Sequence, residues 1–254
     1  MNNRFIRRAA PSAVIKKLAA KAIFERGLIK AGDRILIGAS GGKDSTVMAW
    51  ALSHIRQALK IDYSLEALHI STDFSDYSDV NKLVLAARFQ EWGIPFVNLP
   101  VPVIGRLKEK RKMNCYWCST QRRTELIKYA LENGFNKIAL GHHLDDIIET
   151  FFMNVVEKGS FSAMPMYLKY RKYPLVLIRP LGYLEERQII ACAEEQGFLS
   201  VTCSCPYGAN SHRREIRNRI AAFTANSGAA KRRILSALSS GDKDLLVEMD
   251  DETD

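Results

Sequence analysis

Two short stretches of this chain combine the residue types that phosphate and metal-ion chemistry need. The first is Ser40-Gly-Gly-Lys-Asp-Ser45, which follows the apolar run Ile35-Leu-Ile37. Gly41 and Gly42 permit backbone angles that a Cβ forbids, and their amide groups are bare enough to crowd around an anion. A helix starting at about Asp44 adds unsatisfied N–H groups and the positive end of its dipole. Ser40 and Ser45 supply hydroxyls and Lys43 a positive charge. This is the chemistry of a phosphate cradle. It is not the ordinary P-loop, because only three residues separate Gly38 from Gly42 and Asp44 stands where a magnesium-binding Ser or Thr is required. The bland alternative is a glycine-rich strand–helix turn that binds nothing.

The second stretch is Gly141-His-His-Leu-Asp-Asp146. Gly141 would let backbone approach a nucleotide closely. Asp145 and Asp146 place two carboxylates at a helix start, where the dipole favours negative charge. Beside a bound phosphate group they can hold magnesium, which takes one or two carboxylates plus phosphate oxygens; simple helix capping by Asp is the competing reading. His142 and His143 lack the H-E-x-x-H spacing of a zinc site.

Thiolates come from Cys115-Tyr-Trp-Cys118, read as a C-x-x-C pair preceding a helix, and from Cys203-Ser-Cys205-Pro206. Such groups suit redox chemistry, zinc or an iron–sulfur cluster. A fifth cysteine, Cys192, falls in a helical pattern and reads as core. An odd number of cysteines argues against a disulfide framework.

Elements must bring these groups together. The chain reads as strands at 34–38, 65–72, 96–101, 137–140 and 176–178. Helices are expected over 1–30, 45–59, 81–92, 118–133, 144–156, 185–196 and 213–233, with a basic loop at 102–114 and a short extended piece at 200–202. Alternation of this kind predicts an α/β fold with a doubly wound, mainly parallel sheet. Ligands of such sheets bind beyond the carboxyl ends of the strands, so the 39–45 loop, the loop after Thr72 and the Gly141 turn should share one crevice. Organisation is expected as an N-terminal helical segment at 1–30, a catalytic domain at 31–220, and a C-terminal helical segment with an acidic tail at 221–254.

With 254 residues and a formal net charge of +9, the chain fits one large soluble domain that meets a polyanion. Basic clusters lie at 106–112, 121–123, 169–172, 213–219 and 231–233. Solvated surface is the alternative reading of each. No apolar run reaches the ~20 residues needed to cross a bilayer, and a cytoplasmic location is the expectation.

The run Ser40–Ser45 resembles the signature of the PP-loop ATP pyrophosphatases, which split ATP into AMP and pyrophosphate. Together with Gly141–Asp146, Glu149-Thr-Phe-Phe-Met-Asn154, Ala163-Met-Pro165 and Arg179-Pro-Leu-Gly-Tyr-Leu-Glu-Glu-Arg-Gln-Ile189, it is similar to the tRNA-thiolating branch, and most of all to the tRNA 2-thiocytidine synthetase group. The zinc-finger cysteine pairs of the 2-thiouridine relatives are absent.

The resemblance implies a PP-loop fold and ATP as substrate. ATP would bind through Ala39, Ser40, Gly41, Gly42, Lys43, Ser45, Ile70 and Gly141. Catalytic or magnesium-binding roles would fall to Asp146, Asp44 and Asp145. Arg122 would lie near the substrate, although a surface charge is an equal reading. A 4Fe–4S cluster would rest on Cys115, Cys118 and Cys205, with Cys203 in reserve because C-x-C replaces the group's usual C-x-x-C. Expected partners are tRNA and a sulfur donor, either free sulfide or a cysteine desulfurase persulfide; a homodimer is the candidate assembly. Tyr116 and Trp117 would stack on a splayed base or shield the cluster. The reaction would adenylate a pyrimidine oxygen and replace it with sulfur. Amidation or ligation as in lysidine synthesis, thiolation of another tRNA uridine, and a non-catalytic metal-bound tRNA-binding module are the alternatives.

Overall fold

The computed structural model describes residues 9–74, 79–108, 112–198 and 211–240. Six strands form one sheet in the order β3-β2-β1-β4-β6-β5. They are β1 (Arg34–Gly38), β2 (Ser64–Thr72), β3 (Phe96–Val101), β4 (Lys137–Ala139), β5 (Tyr167–Lys169) and β6 (Val176–Ile178). The first four and β6 run parallel; β5 pairs antiparallel with β6 as an edge strand. Eight helices are described: α1 (Pro11–Glu25), α2 (Lys43–Leu59), α3 (Asp79–Glu91), α4 (Cys115–Glu132), α5 (Leu144–Lys158), α6 (Glu186–Glu195), α7 (Ser211–Thr224) and α8 (Gly228–Ser240).

Side-chain alternation on the central strand makes the sheet two-faced. Ile35 and Ile37 enter the larger core with α1, α2 and α6, whereas Leu36 faces the smaller one under α4. The wound, mainly parallel α/β architecture is the one the sequence predicts. The N-terminal segment does not stand apart, since Ile15, Ala19, Ala22 and Ile23 of α1 are buried in the larger core. At the far end of the sheet Lys137 is buried, bonded to Asp33 at 2.7 Å and to the Leu28 carbonyl at 2.6 Å.

Strand order reverses between β1 and β4, so the crevice at their carboxyl ends is the topological switch point of the sheet. The Ser40–Ser45 loop leaves β1 there and the Gly141–Asp146 turn leaves β4 there.

Four expectations change. The edge strand β5 is exposed along its length and has no apolar alternation, so the sequence pattern misses it. Helix α4 starts at Cys115 rather than after the cysteine pair, because the Asn114 side chain caps it by accepting from the Trp117 N–H at 2.8 Å. The basic region 213–233 is two helices, broken where Ala225 and Asn226 take positive φ. The expected boundary at 220/221 falls inside the continuous helix α7. The piece at 200–202 and Cys203 and Cys205 lie outside the described residues.

Candidate active site

The loop after β1 is held from both sides. The Ala39 N–H donates to the Leu68 carbonyl at 2.9 Å, and the Ala39 carbonyl meets His69 Nδ1 at 2.7 Å. Gly41 has φ +83°, the left-handed region that glycine enters without strain. Gly42 does not: its backbone is extended at φ −78°, ψ 162°, and it is the N-cap of α2. Since that cap carries no side-chain acceptor, the first-turn N–H groups of α2 are left for an anion. The Ser40 and Ser45 hydroxyls meet at 3.0 Å, and Ser40 Oγ accepts from the Gly42 N–H at 3.3 Å. Lys43 reaches Glu186 of α6 at 3.0 Å and Asp44 at 3.3 Å. Burial alone would lower its pKa, but these two carboxylates raise it, so the ammonium is fixed in its charged form.

Gly141 packs against the start of α2. A Cβ there would stand 2.8 Å from the Ser45 nitrogen and 2.9 Å from the Asp44 carbonyl carbon. Its lack of a side chain lets the β4–α5 turn pack directly on the start of α2. That contact brings the two carboxylate stretches together. His143 Nε2 lies 3.9 Å from Asp44 Oδ1 and 3.4 Å from Asp146 Oδ2.

Asp44 does not cap α2. Its Oδ1 is buried without a hydrogen bond among the described residues. Burial raises its pKa, and the nearby Asp146 charge adds to the effect against Lys43 and His143. Asp146 accepts from the His143 N–H at 3.1 Å in a capping box, so capping and proximity to Asp44 coexist. Asp145 is committed elsewhere, to Lys231 of α8 at 2.5 Å and the Glu186 N–H at 2.7 Å. Burial acts to raise its pKa, but these partners outweigh it and hold the pKa below the ordinary value. Among the described residues no group of three or more His, Cys, Asp or Glu is arranged to hold a metal. Two carboxylates, one with a buried oxygen that makes no hydrogen bond and among the described residues is met only by charged or ionisable groups, Lys43 at 3.3 Å and His143 at 3.9 Å, still fit a magnesium ion that takes its other ligands from phosphate and water.

A cavity of about 270 Å³ opens beside the loop, with Ala39, Ser40, Ile70, Arg122 and His142 among its walls. Three residues expected at the nucleotide site, Ala39, Ser40 and Ile70, therefore share one space with Arg122. His142 Nδ1 accepts from Arg179 Nε at 3.4 Å, which leaves the proton of a neutral ring on Nε2. Burial lowers the His142 pKa to about 4 and that of the Arg179 guanidinium to about 10.

The cysteine pair lies on the helix that forms one wall of this cavity, one turn before its first lining residues. Cys115 is exposed and Cys118 half-buried, in the first turn of α4. One turn later on that helix, Ser119 and Arg122 line the cavity. Residues three and four apart share a helix face, so the thiols and Arg122 point to the same side. Trp117 is a packing residue, half-buried and donating from Nε1 to the Val103 carbonyl at 3.1 Å, while Tyr116 is exposed. Cys192 is fully buried, as its pattern suggests.

Sequence reasoning missed the groups that come from afar. Glu186 holds Lys43 across 143 residues. Buried Glu149 accepts from Arg213 at 3.0 Å and Arg217 at 2.6 Å. These pairs carry no local signal. They also show that within the basic clusters at 213–219 and 231–233, Arg213, Arg217, Lys231 and Arg232 pair with carboxylates of the domain itself.

A family model for the PP-loop domain matches residues 12–241. The chain belongs to the PP-loop family. The tRNA-cytidine(32) 2-sulfurtransferase of Geobacter sulfurreducens is 34% identical to this PP-loop chain over 241 residues, covering 93% of each. That of Syntrophotalea carbinolica is 36% identical over 195 residues, covering 76% of this chain and 74% of its own. Among solved structures, the U34-tRNA thiolase of Methanococcus maripaludis with its 4Fe–4S cluster superimposes with a TM-score of 0.74 at 26% identity, covering 90% of this PP-loop chain and 78% of the thiolase.

Proposed function

We propose that the protein is an ATP-dependent tRNA sulfurtransferase that makes 2-thiocytidine in the anticodon loop. The observation that carries this reading is the placement of Cys115 and Cys118 one helical turn from Ser119 and Arg122, which wall the cavity beginning at Ser40. A phosphate loop alone speaks for ATP; thiols one helical turn from the wall of the same cavity speak for sulfur.

Ser40, Gly41, Gly42, Ser45 and the α2 N-terminus receive the outer phosphates, with Lys43 released from Glu186 to join them. Asp44 and Asp146 would hold a magnesium ion, which would offset the charge of the phosphates, and Asp145 anchors α8 through Lys231. The base oxygen attacks the α-phosphorus, the bond to pyrophosphate breaks, and an adenylated base forms. Arg122 offsets charge on the transferring group. Sulfide then attacks the ring carbon that bears the adenylated oxygen, the C–O bond breaks, and AMP leaves carrying that oxygen. When bound, a 4Fe–4S cluster on Cys115, Cys118 and Cys205, with Cys203 as the alternative third ligand, supplies a position that holds sulfide as a nucleophile. An i, i+3 thiol pair at a helix N-terminus, where thiolates are favoured, fits such a group. No described helix is long and apolar enough to span a membrane; we take the site of action to be the cytoplasm, with sulfide or a persulfide-bearing desulfurase as donor.

The test is anaerobic reconstitution with tRNA, Mg–ATP and sulfide, followed by mass spectrometry of the nucleosides. AMP, pyrophosphate and 2-thiocytidine should form in equal amounts, and the Cys115→Ala/Cys118→Ala variant should bind ATP yet form no thionucleoside. An iron-free protein that thiolates at the full rate would refute the cluster's part, and thiolation of a different nucleoside would refute the target.

A further inference from the structure

Two sets of cations among the described residues differ in how they are paired. Those of α7 and α8 near the site are spent on Glu149, Asp145, Glu185 and Glu186. Lys169, Arg171 and Lys172 are exposed and have no carboxylate partner among the described residues. They sit on the hairpin joining β5 to β6, whose turn is closed by the Tyr170 N–H donating to the Leu175 carbonyl at 3.0 Å.

Two tyrosines tie this hairpin to the cavity. Tyr170 is part of the cavity wall together with Arg122 and Arg123 of α4, neither of which has a carboxylate partner among the described residues. Tyr173 stands edge-on to Tyr170, ring centroids 6.1 Å apart at 69°, and remains 39% exposed. A lysine on an edge strand also discourages sheet-to-sheet pairing. That role accounts for Lys169 but not for two further cations and an exposed ring in the turn.

Resting on the sulfurtransferase reading above, we propose that the hairpin Lys169–Tyr173 is the docking element for the RNA substrate. Lys169, Arg171 and Lys172 contact phosphates. The Tyr173 ring stacks on an unpaired base next to the one that enters the cavity. The chemistry is that of single-stranded nucleic-acid binding, in which cations follow the backbone and aromatic rings take the bases. The placement gives order to the two contacts: a base on Tyr173 is one ring removed from the cavity wall, so its neighbour along the strand reaches the ATP site.

The experiment is tRNA binding by fluorescence anisotropy as a function of salt, with melting temperature as the check on folding. For Lys169→Ala/Arg171→Ala/Lys172→Ala the slope of log affinity against log salt should shrink by roughly 2 to 3, about 0.7–0.9 per phosphate contact removed. Tyr173→Ala should weaken binding roughly 5- to 100-fold at unchanged slope, and Tyr173→Phe should restore it. If the wild type binds tRNA and these variants bind it with the same affinity and slope, the hairpin proposal is overturned while the enzyme reading stands. A wild type that binds no tRNA overturns the enzyme reading itself. Variants that keep tRNA affinity but no longer accept sulfur from a persulfide-bearing protein would make the hairpin a protein-docking element, which also overturns the proposal.

Discussion

Replacing Gly141 by Ala tests whether the turn after β4 serves the nucleotide or the architecture. Gly141 lies outside the left-handed region, so Ala meets no backbone strain there. The obstacle is contact. The new Cβ would be 2.8 Å from the Ser45 nitrogen, 2.9 Å from the Asp44 carbonyl carbon and 3.1 Å from the Asp44 oxygen. The first is about 0.7 Å inside the ~3.5 Å of ordinary contact. All three atoms are backbone and cannot rotate away, so the start of α2 and the 141–146 turn must separate. Overpacking of this kind costs ~1–3 kcal/mol. At ~2–4 °C per kcal/mol for a chain of this size, the melting temperature should fall by ~2–12 °C. The same displacement pulls Asp44 away from Asp146, and a shift of several tenths of an ångström between catalytic groups should slow AMP and pyrophosphate release ~10- to 100-fold. Calorimetry gives the first quantity and single-turnover kinetics at saturating ATP the second. If Gly141→Ala raises the ATP dissociation constant but leaves both melting temperature and saturated rate unchanged, Gly141 serves close approach to the nucleotide and the packing argument is wrong.

Three further outcomes are expected. Arg213→Ala/Arg217→Ala leaves the Glu149 carboxylate buried and unpaired, at ~3–5 kcal/mol. Glu149→Ala leaves only part-exposed arginines that water can serve, at ~1–2 kcal/mol; urea unfolding should rank the variants in that order, and the reverse order would show that Glu149 acts through packing rather than charge. The His142 pKa is depressed from 6.5 to about 4 in the folded protein, so the unfolded chain takes up a proton first as pH falls. This site should therefore cost stability between about pH 6.5 and 4, and His142→Asn should flatten the pH dependence of the melting temperature in that window. Glu186→Gln removes the competitor that holds Lys43, and because the pair is partly exposed the gain in ATP affinity should be ~2- to 5-fold; weaker ATP binding, measured by titration calorimetry, would mean that Glu186 instead positions Lys43 for the phosphates.

What local pattern encodes was legible in the sequence. The strand run at 34–38 and the glycine-rich turn after it identify a phosphate loop, because apolar alternation and glycine conformation act over a few residues. Strand–helix alternation in turn implies the parallel sheet and the convergence of its carboxyl ends. The cysteine pair was legible as chemistry. Its place one helical turn from the cavity wall was not, because that depends on how α4 lies across the sheet. Gly141 reads as a nucleotide contact from its neighbours in sequence; its close packing on Ser45 and Asp44, 96 and 97 positions away, was not legible there. The basic clusters looked alike as composition. Tertiary structure divided them into cations spent on Glu149 and Asp145 and cations left on the β5–β6 hairpin, since pairing depends on distance in space, which charge order along a chain does not contain.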